Sequence, residues 1–272
     1  MTLYYYMLYF FIYGFLGWCT EVAFAAVKSK QFVNRGFLNG PICPIYGIGV
    51  GIVVALLSSY RNNLIALYVA SVIIVTVLEW VTGLVLEKVF HDKWWDYSEM
   101  PLNLNGYVCL LFSMIWGVAC VVIVDFIHPL IHRGLAFVPK IVGIIVLVMF
   151  SIIIVIDLYV TVSGILKLNK RLERMSIIAN ELHNLSEQLG ENIYKGIADT
   201  VEREEATKKK LDVASQEMRE RATELKRRYQ ELSAGYSKVH KRLIDAFPKM
   251  QSKRYKEALR DIQKKQWAKF RK

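Results

Sequence analysis

The sequence predicts an all-α membrane protein: a polytopic bundle of about five spanning helices followed by a long helical, coiled-coil-like cytoplasmic tail. Apolar stretches at or near the roughly 18 to 20 residues needed to cross a bilayer recur along the first part of the chain. The net charge of +11 lies entirely after Ser163. A seven-residue apolar repeat runs through the tail, which is typical of helices that pair through a coiled-coil seam.

Five apolar segments are the predicted spans: 3–27, 41–60, 64–86, 107–127 and 141–162. We expect the first to be a retained helix, because no basic residue precedes Lys28 and the apolar run is longer than a signal peptide needs. The second is expected to be broken or re-entrant. Pro41, Pro44 and three glycines lie in its first half and weaken a regular helix there.

The distribution of charge predicts the orientation in a bacterial cell membrane. Up to Ser163 the basic and acidic residues balance, so the basic excess belongs to the tail. Because basic segments remain on the cytoplasmic side, the C-terminus is predicted to be cytoplasmic and, with five spans, the N-terminus external. The predicted loop 128–140 fits this rule poorly, because it would be external and carries Arg133 and Lys140.

The predicted organisation is a transmembrane helix domain (1–166), a helical, coiled-coil-like region (167–247) and a basic amphipathic segment (248–272). In the second region apolar residues recur at intervals of seven: Leu211, Met218, Leu225, Leu232 and Val239, with Tyr236 on a second stripe. An earlier block has another phase, and Gly190 and Gly196 between the blocks mark the predicted bend. The seam could pair two chains into a homo-oligomer or fold back as an antiparallel hairpin. A single solvated helix is the alternative.

The end of the chain is strongly basic. Residues 238–272 carry 13 Lys and Arg against three acidic residues, with Leu259, Ile262, Trp267 and Phe270 interleaved. A basic amphipathic segment beside a membrane is typical of binding to anionic lipid headgroups. Nucleic acid or an acidic partner protein is the next alternative, with nucleic acid the less expected of the two, and a merely solvated tail is the third.

Polar residues gather at the edges of the apolar segments and form the predicted site. Carboxylates and an Arg near hydrocarbon cost free energy unless they are paired or functional. Glu21 shares a helix face with Gly14 and Gly17, where small residues admit a second helix. Glu79 is expected to pair with Arg35. The predicted substrate-binding residues are Glu21, Asn34, Arg35, Tyr46, Glu79, Glu87, Trp95, Asp96 and Asn105.

Several of these residues also have a simpler interpretation. A carboxylate near a span end, such as Glu87, can reach the membrane interface. Trp95 is typical of an interfacial aromatic belt, and Asn105 before Gly106 is typical of a turn. Glu79 and Arg35 are explained least well in this way.

The sequence indicates no cofactor and no metal site. Its five His residues lack metal-ligand spacing, its four Cys residues form no recognisable framework, and no nucleophile motif occurs. A phosphate-binding G-x-x-x-x-G-K-[ST] motif is also missing, so the chain is not itself an ATPase. An intramembrane enzyme with Glu79 and Asp96 as acid and base is the weakest hypothesis.

The order of the motifs NRGFLNGPICPIYGIG, EWVTGLVLEKVF, KWWDYS, PLNLNGYVCL and SMIWG resembles the bacterial family of putative ABC-transporter permeases of type IV. The resemblance extends from about residue 13 to residue 157 and does not include the tail. It implies a permease-type membrane component that works with a separate ATPase subunit, and it implies no substrate.

Two functions therefore compete. In the first, the polar residues and the NGPICPIYG break form a site for a small solute, peptide or ion within a transport component. In the second, the protein is a non-transport membrane scaffold or sensor, and its tail acts by oligomerising or by binding lipid or a partner.

Overall fold

The computed structural model describes residues 3–198, 205–235 and 237–270, and it confirms the predicted all-α class. The α-helices are α1 Leu3–Ser29, α2 Pro44–Leu57, α3 Leu64–Phe90, α4 Leu110–Val122, α5 His128–Ala136, α6 Lys140–Ala198, α7 Glu205–Ala234, α8 Lys238–Ala246 and α9 Lys256–Phe270. A 3-10 turn, Ser58–Tyr60, follows α2, and a π-helical turn, Ile123–Ile127, joins α4 to α5. Short antiparallel strands pair as β1 Asp92–Lys93 with β4 Gln251–Ser252, and β2 Asn103–Leu104 with β3 Val108–Cys109.

Four helical stretches of the described chain are long and apolar enough to cross a membrane: Leu3–Ser29, Leu64–Phe90, Leu110–Ala136 and Lys140–Asn192. The fifth apolar helix, α2, is shorter. Its 14 residues rise about 21 Å, which is less than the hydrocarbon thickness of about 30 Å. The chain before it is not helical until Pro44, which lies in the first turn, where proline is tolerated. The second apolar segment therefore contains one short, continuous helix that includes its three glycines, and its re-entrant course remains a prediction.

The predicted loop at residues 128–140 is wrong, because the chain remains helical through α5 to Ala136. Pro129 is accommodated in the first turn of α5, directly after the π-helical turn. His128 is buried, and its Nδ1 lies 3.0 Å from the Tyr13 hydroxyl oxygen. The polar residues that suggested a loop thus include one that bonds inside the bundle.

Glycines allow α1 and α2 to pack closely. Gly17 lies against the ring of Tyr46, and a Cβ at Gly17 would overlap that ring; Gly47 packs against Phe10 in the same way. This contact confirms the predicted role of Gly17 in admitting a second helix. Around it the helices share an apolar core: Tyr9, Tyr13, Val50, Val53, Val54, Leu57, Leu67, Cys120 and Val124.

The contacts divide the chain into two compact units. The first contains Met1–Leu166 and Lys238–Lys253, and the second contains Lys167–Ser237 and Arg254–Lys272. The segment Lys238–Lys253, which we call the return segment, thus belongs with the apolar helices. In it, β4 pairs with β1, and the ring of Phe247 lies 4.8 Å from that of Trp94.

In the second unit, the end of α6 and helix α7 run antiparallel. Arg171 donates hydrogen bonds to backbone carbonyls at the end of α7, including that of Gly235, and Arg221 forms an ion pair with Glu181. These contacts correspond to the hairpin alternative. The coiled-coil seam itself and homo-oligomer formation remain predictions.

The chain does not break at Gly190 or Gly196, because both residues lie inside α6, and a bend there remains a prediction. A helix tolerates an interior glycine at a cost of about 1 kcal/mol. The connection from α6 to α7 falls at residues 199–204, outside the described residues. Of the predicted seam, Leu225 is buried, whereas Tyr236 and the side chain of Leu211 lie outside the described part of the chain.

Candidate functional site

An ion pair and a hydrogen bond bring three of the predicted site residues together. The Tyr46 hydroxyl, on the first turn of α2, donates to Glu21 Oε1 of α1 at 2.6 Å. Arg35 Nε lies 3.5 Å from Glu21 Oε2. Both charged side chains keep about a quarter to a third of their surface exposed. With Glu79 of α3, described next, these residues form what we call the intramembrane cluster.

Glu79 has an unusual environment for a carboxylate within a span. Its Oε2 is buried and has no hydrogen-bond partner among the described residues, and it interacts electrostatically with Glu21. The predicted direct ion pair between Glu79 and Arg35 is not among the ion pairs of the described chain. Arg35 pairs with Glu21 instead, because the loop that carries it runs back along α1 and also places Arg35 5.6 Å from the Phe24 ring.

Two aromatic residues that the sequence did not assign to the site also lie at the cluster. Burial raises the pKa of Tyr97, and electrostatic interaction with the carboxylates of Glu79 and Glu21 raises it further. The ring of Trp116 lies 5.4 Å from that of Tyr46. In the sequence Tyr97 follows Trp94 and Trp95 closely, and nothing there distinguishes it from an interfacial aromatic residue.

The chain between α1 and α2 is irregular yet partly buried, and we call residues 34–43 the re-entrant loop. The Cys43 N–H donates to the carbonyl of Gly14, in the middle of α1, at 2.9 Å. Leu38 is also buried. Non-helical backbone at membrane depth is tolerated only where protein or water satisfies its polar groups. The loop must therefore find its hydrogen-bond partners inside the bundle.

Asp157 of α6 supplies one set of partners. Its Oδ1 accepts from the Asn39 N–H at 3.0 Å, and its Oδ2 accepts from the Gly40 N–H at 2.6 Å. The Asn39 side-chain amide also donates to Asp157 and to Thr161. Asp157 lies near the end of an apolar segment, where the sequence alone indicates no more than a carboxylate that reaches the interface.

Arg242 of α8 supplies the opposite set. Its guanidinium donates to the Gly36 carbonyl at 2.7 Å, to the Phe37 carbonyl at 2.9 Å and to Asn39 Oδ1 at 2.9 Å. This role of Arg242 cannot be predicted from the sequence, because the residue lies about 200 positions from its partners among many other basic residues. No local signal distinguishes it.

Asn34 shapes the same loop. Its Oδ1 accepts from Trp18 Nε1 at 2.7 Å and from the Gly36 N–H, and its Nδ2 donates to the Asn39 carbonyl. The amide is thus fully engaged in holding the loop against α1. The sequence predicts Asn34 as a site residue, whereas it does not predict these hydrogen bonds.

The remaining predicted site residues form contacts of their own near the end of α3. Glu87 pairs with Lys253 of the return segment, and Trp95 Nε1 donates to the Tyr107 carbonyl at 2.7 Å. Asn105 has a positive φ of 56° in the turn between β2 and β3, in keeping with its simpler interpretation.

Asp96 also lies among these residues near the end of α3. Although burial opposes the effect, hydrogen bonds from Lys93 and Ser98 lower the pKa of Asp96 to about 2. The Lys93 ammonium lies 2.8 Å from its Oδ1. Asp96 is therefore a paired, ionised carboxylate that holds its loop together, and its low pKa makes it a poor general acid or base.

The residues that carry these contacts also carry the sequence motifs, since the re-entrant loop is NRGFLNGPIC and the Glu79 helix contains EWVTGLVLEK. A family model described as putative ABC-transporter type IV matches residues 8–162. The chain belongs to this family. The family match spans the apolar helices and ends before the tail, and no curated protein and no solved structure matched the chain.

Proposed function

We propose that this membrane protein is a permease-type component of an ABC transport system without an ATPase of its own, and that the intramembrane cluster binds the transported solute. Membership of the putative ABC-transporter type IV family supports the general class. The arrangement of Glu21, Arg35, Tyr46 and Glu79 supports the position of the binding site. In this proposal the protein lies in a bacterial cell membrane, with its C-terminus cytoplasmic.

The main observation behind the proposal is that the Glu79 carboxylate is buried and incompletely hydrogen-bonded within the described chain. Glu21 is compensated by Arg35 and by the Tyr46 hydroxyl, whereas Glu79 Oε2 is buried without a hydrogen-bond partner in the described chain. A buried polar atom without a partner costs about 1 to 3 kcal/mol. A hydrogen-bond donor on a solute would remove this cost, and the neighbouring rings of Tyr46 and Trp116 would cover its apolar part.

Two partners follow from the proposal. A separate ATPase subunit is required, because the sequence contains no phosphate-binding motif. Anionic lipid is the proposed partner of the basic C-terminal segment, and the attraction would depend on charge, because Leu259 and Ile262 of α9 are buried. The aromatic residues Trp267 and Phe270 have side chains outside the described part of the chain.

The binding site can be tested with a panel of small solutes on the purified protein, with thermal unfolding as the readout. A bound solute should raise the melting temperature of the wild type and raise it less in Glu79→Gln. Glu99→Gln is the matched control, since Glu99 is an exposed loop carboxylate. If a stabilising solute acts equally on both variants, the intramembrane cluster is not its site.

The scaffold alternative also has an observation in its favour. Asp157, Asn39 and Arg242 form a closed hydrogen-bond network, as expected of polar residues that only lock a bundle. If the protein is a scaffold, Glu79→Gln should stabilise it, because the variant removes a buried charge. Solute uptake by cells that express this variant should then equal uptake by cells that express the wild type. Loss of solute uptake in that variant at normal protein levels supports the permease.

A further inference from the structure

We infer that Arg242 is a positioning residue for the intramembrane cluster: it holds the re-entrant loop in place, and the loop in turn holds Arg35 against Glu21. The hydrogen bonds of the loop are observed independently of any function, whereas the importance of Arg35 for solute binding rests on the proposed function.

The guanidinium of Arg242 matches the loop unusually well. Its three bonds, of 2.7 to 2.9 Å, all end on residues 36–39. Arginine presents its donors in a rigid planar fork, so one side chain can satisfy several carbonyls of irregular backbone at once. The Gly36 and Phe37 carbonyls belong to no helix, and buried backbone carbonyls need donors. Lysine, with a compact ammonium, cannot reproduce this geometry.

Asp157 completes the arrangement from α6. It accepts the N–H groups of Asn39 and Gly40, while Arg242 donates to the carbonyls before them. Asn39 joins the two, since its Oδ1 accepts from Arg242 and its Nδ2 donates to Asp157. The loop is therefore held on both its donor and its acceptor side. Arg35 directly precedes Gly36, so its backbone position is restricted by the same bonds.

We call the hydrogen bonds that Arg242 and Asp157 make to the loop the clamp. The position of Arg242 in the chain connects this clamp to the tail. Arg242 lies in the return segment, which is continuous in sequence with the second compact unit at both of its ends. A change in the tail, such as binding of a partner, thus has a covalent route to the segment that carries Arg242. Release of the clamp would free the loop and the Arg35 that it carries.

Two native thiols report on the clamp without any measurement of transport. Cys43 lies in the re-entrant loop and is 5% exposed, and Cys120 lies in the apolar core of the bundle and is 6% exposed. We would measure the rate of N-ethylmaleimide alkylation at each thiol by mass spectrometry in the full-length protein. The variants are Arg242→Ala, Arg242→Lys and, as a control in the same segment, the exposed Lys249→Ala.

The expected result is faster alkylation of Cys43 in Arg242→Ala, by about tenfold or more, since this variant loses all three hydrogen bonds to the loop and such a loss favours local opening by at least that factor. Arg242→Lys should give an intermediate rate. Cys120 should react at the wild-type rate in all variants, and Lys249→Ala should match the wild type at both thiols.

Two results would overturn the inference. The first is an unchanged Cys43 rate in Arg242→Ala, or in Arg242→Lys and Arg242→Gln if the alanine variant does not fold. The second is an equal rise at Cys43 and Cys120, which would show general loosening of the bundle. Because alkylation requires no solute, failure here is distinct from failure of the transport proposal.

Discussion

At the scale of single residues, the charges of the intramembrane cluster bear on the charge of the solute that it is proposed to bind. Arg35 offsets Glu21, with 3.5 Å between Arg35 Nε and Glu21 Oε2, and ionised Glu79 then leaves the cluster with a net negative charge. A charge within hydrocarbon is expensive and is usually compensated. Under the proposed function, the cluster would therefore favour a proton or a cationic group on Glu79 over an anionic solute.

The pairing of Glu21 with Arg35 leads to a charge-swap prediction. Glu21→Arg and Arg35→Glu should each lower the free energy of unfolding by about 1 to 3 kcal/mol, because each leaves like charges together. The double variant should recover part of this loss. Denaturant titration of the three variants and the wild type measures the coupling. Simple additivity of the two single effects would show that the residues do not interact.

The low pKa of Asp96 makes a second prediction at this scale. A carboxylate whose pKa is lowered to about 2 by folding stabilises the protein above its unfolded pKa of about 3.9. That stability is lost as the pH falls through about 2. In Asp96→Asn the melting temperature should therefore depend less on pH between about 5 and 2 than in the wild type. Glu99→Gln is the control, and an unchanged pH profile in Asp96→Asn would contradict the assignment.

At the scale of elements, the short helix α2 and the re-entrant loop depend on one another. Because α2 starts only at Pro44, the loop before it enters the bundle and meets α1 at Gly14. The close contact of α1 and α2 in turn requires Gly17, since any larger side chain meets the Tyr46 ring. The hydrogen bond from Tyr46 to Glu21 follows from that contact.

Matched glycine substitutions test this dependence. Gly17→Ala should displace the Tyr46 ring, weaken its hydrogen bond to Glu21 and lower the melting temperature. Gly51→Ala on α2 is the control, because a Cβ there has no atom within 4 Å. Alanine in an open helical position is expected to be neutral or to stabilise by up to about 1 kcal/mol. A Gly17→Ala variant as stable as Gly51→Ala would contradict the predicted packing.

These elements also show how far the sequence could predict the structure. Long apolar runs predicted the apolar helices, and Pro41 and Pro44 predicted the late start of α2, because both signals are local; the glycines, which also suggested a break, lie inside α2. The partner of Arg35 and the role of Arg242 depend on contacts between distant positions, which composition does not encode. The helical stretch after Ile127 was missed because its His and Pro residues resemble a loop until His128 is seen to bond to Tyr13.

At the scale of the whole membrane unit, different contacts mark its two ends. At one end, Tyr4 of α1 lies against Gly143 near the start of α6, and Arg61 bonds to Asp125. At the other end, the re-entrant loop, the loop after α3 and the return segment contact one another through Arg242, Trp94 and Phe247. The start of α1 and the return segment therefore lie at opposite ends of this unit, in keeping with the predicted odd number of crossings.

This arrangement supports the last prediction, which concerns orientation. Five crossings place the termini on opposite sides, and the basic excess after Ser163 assigns the C-terminus to the cytoplasm and the N-terminus to the exterior. Reporter fusions at each terminus and at Asn62, between α2 and α3, test the assignment. The N-terminal and Asn62 fusions should report an external location, and the C-terminal fusion a cytoplasmic one. If Asn62 reports a cytoplasmic location while the N-terminus is external, α2 does not cross the membrane despite its contacts with α1, and four crossings remain.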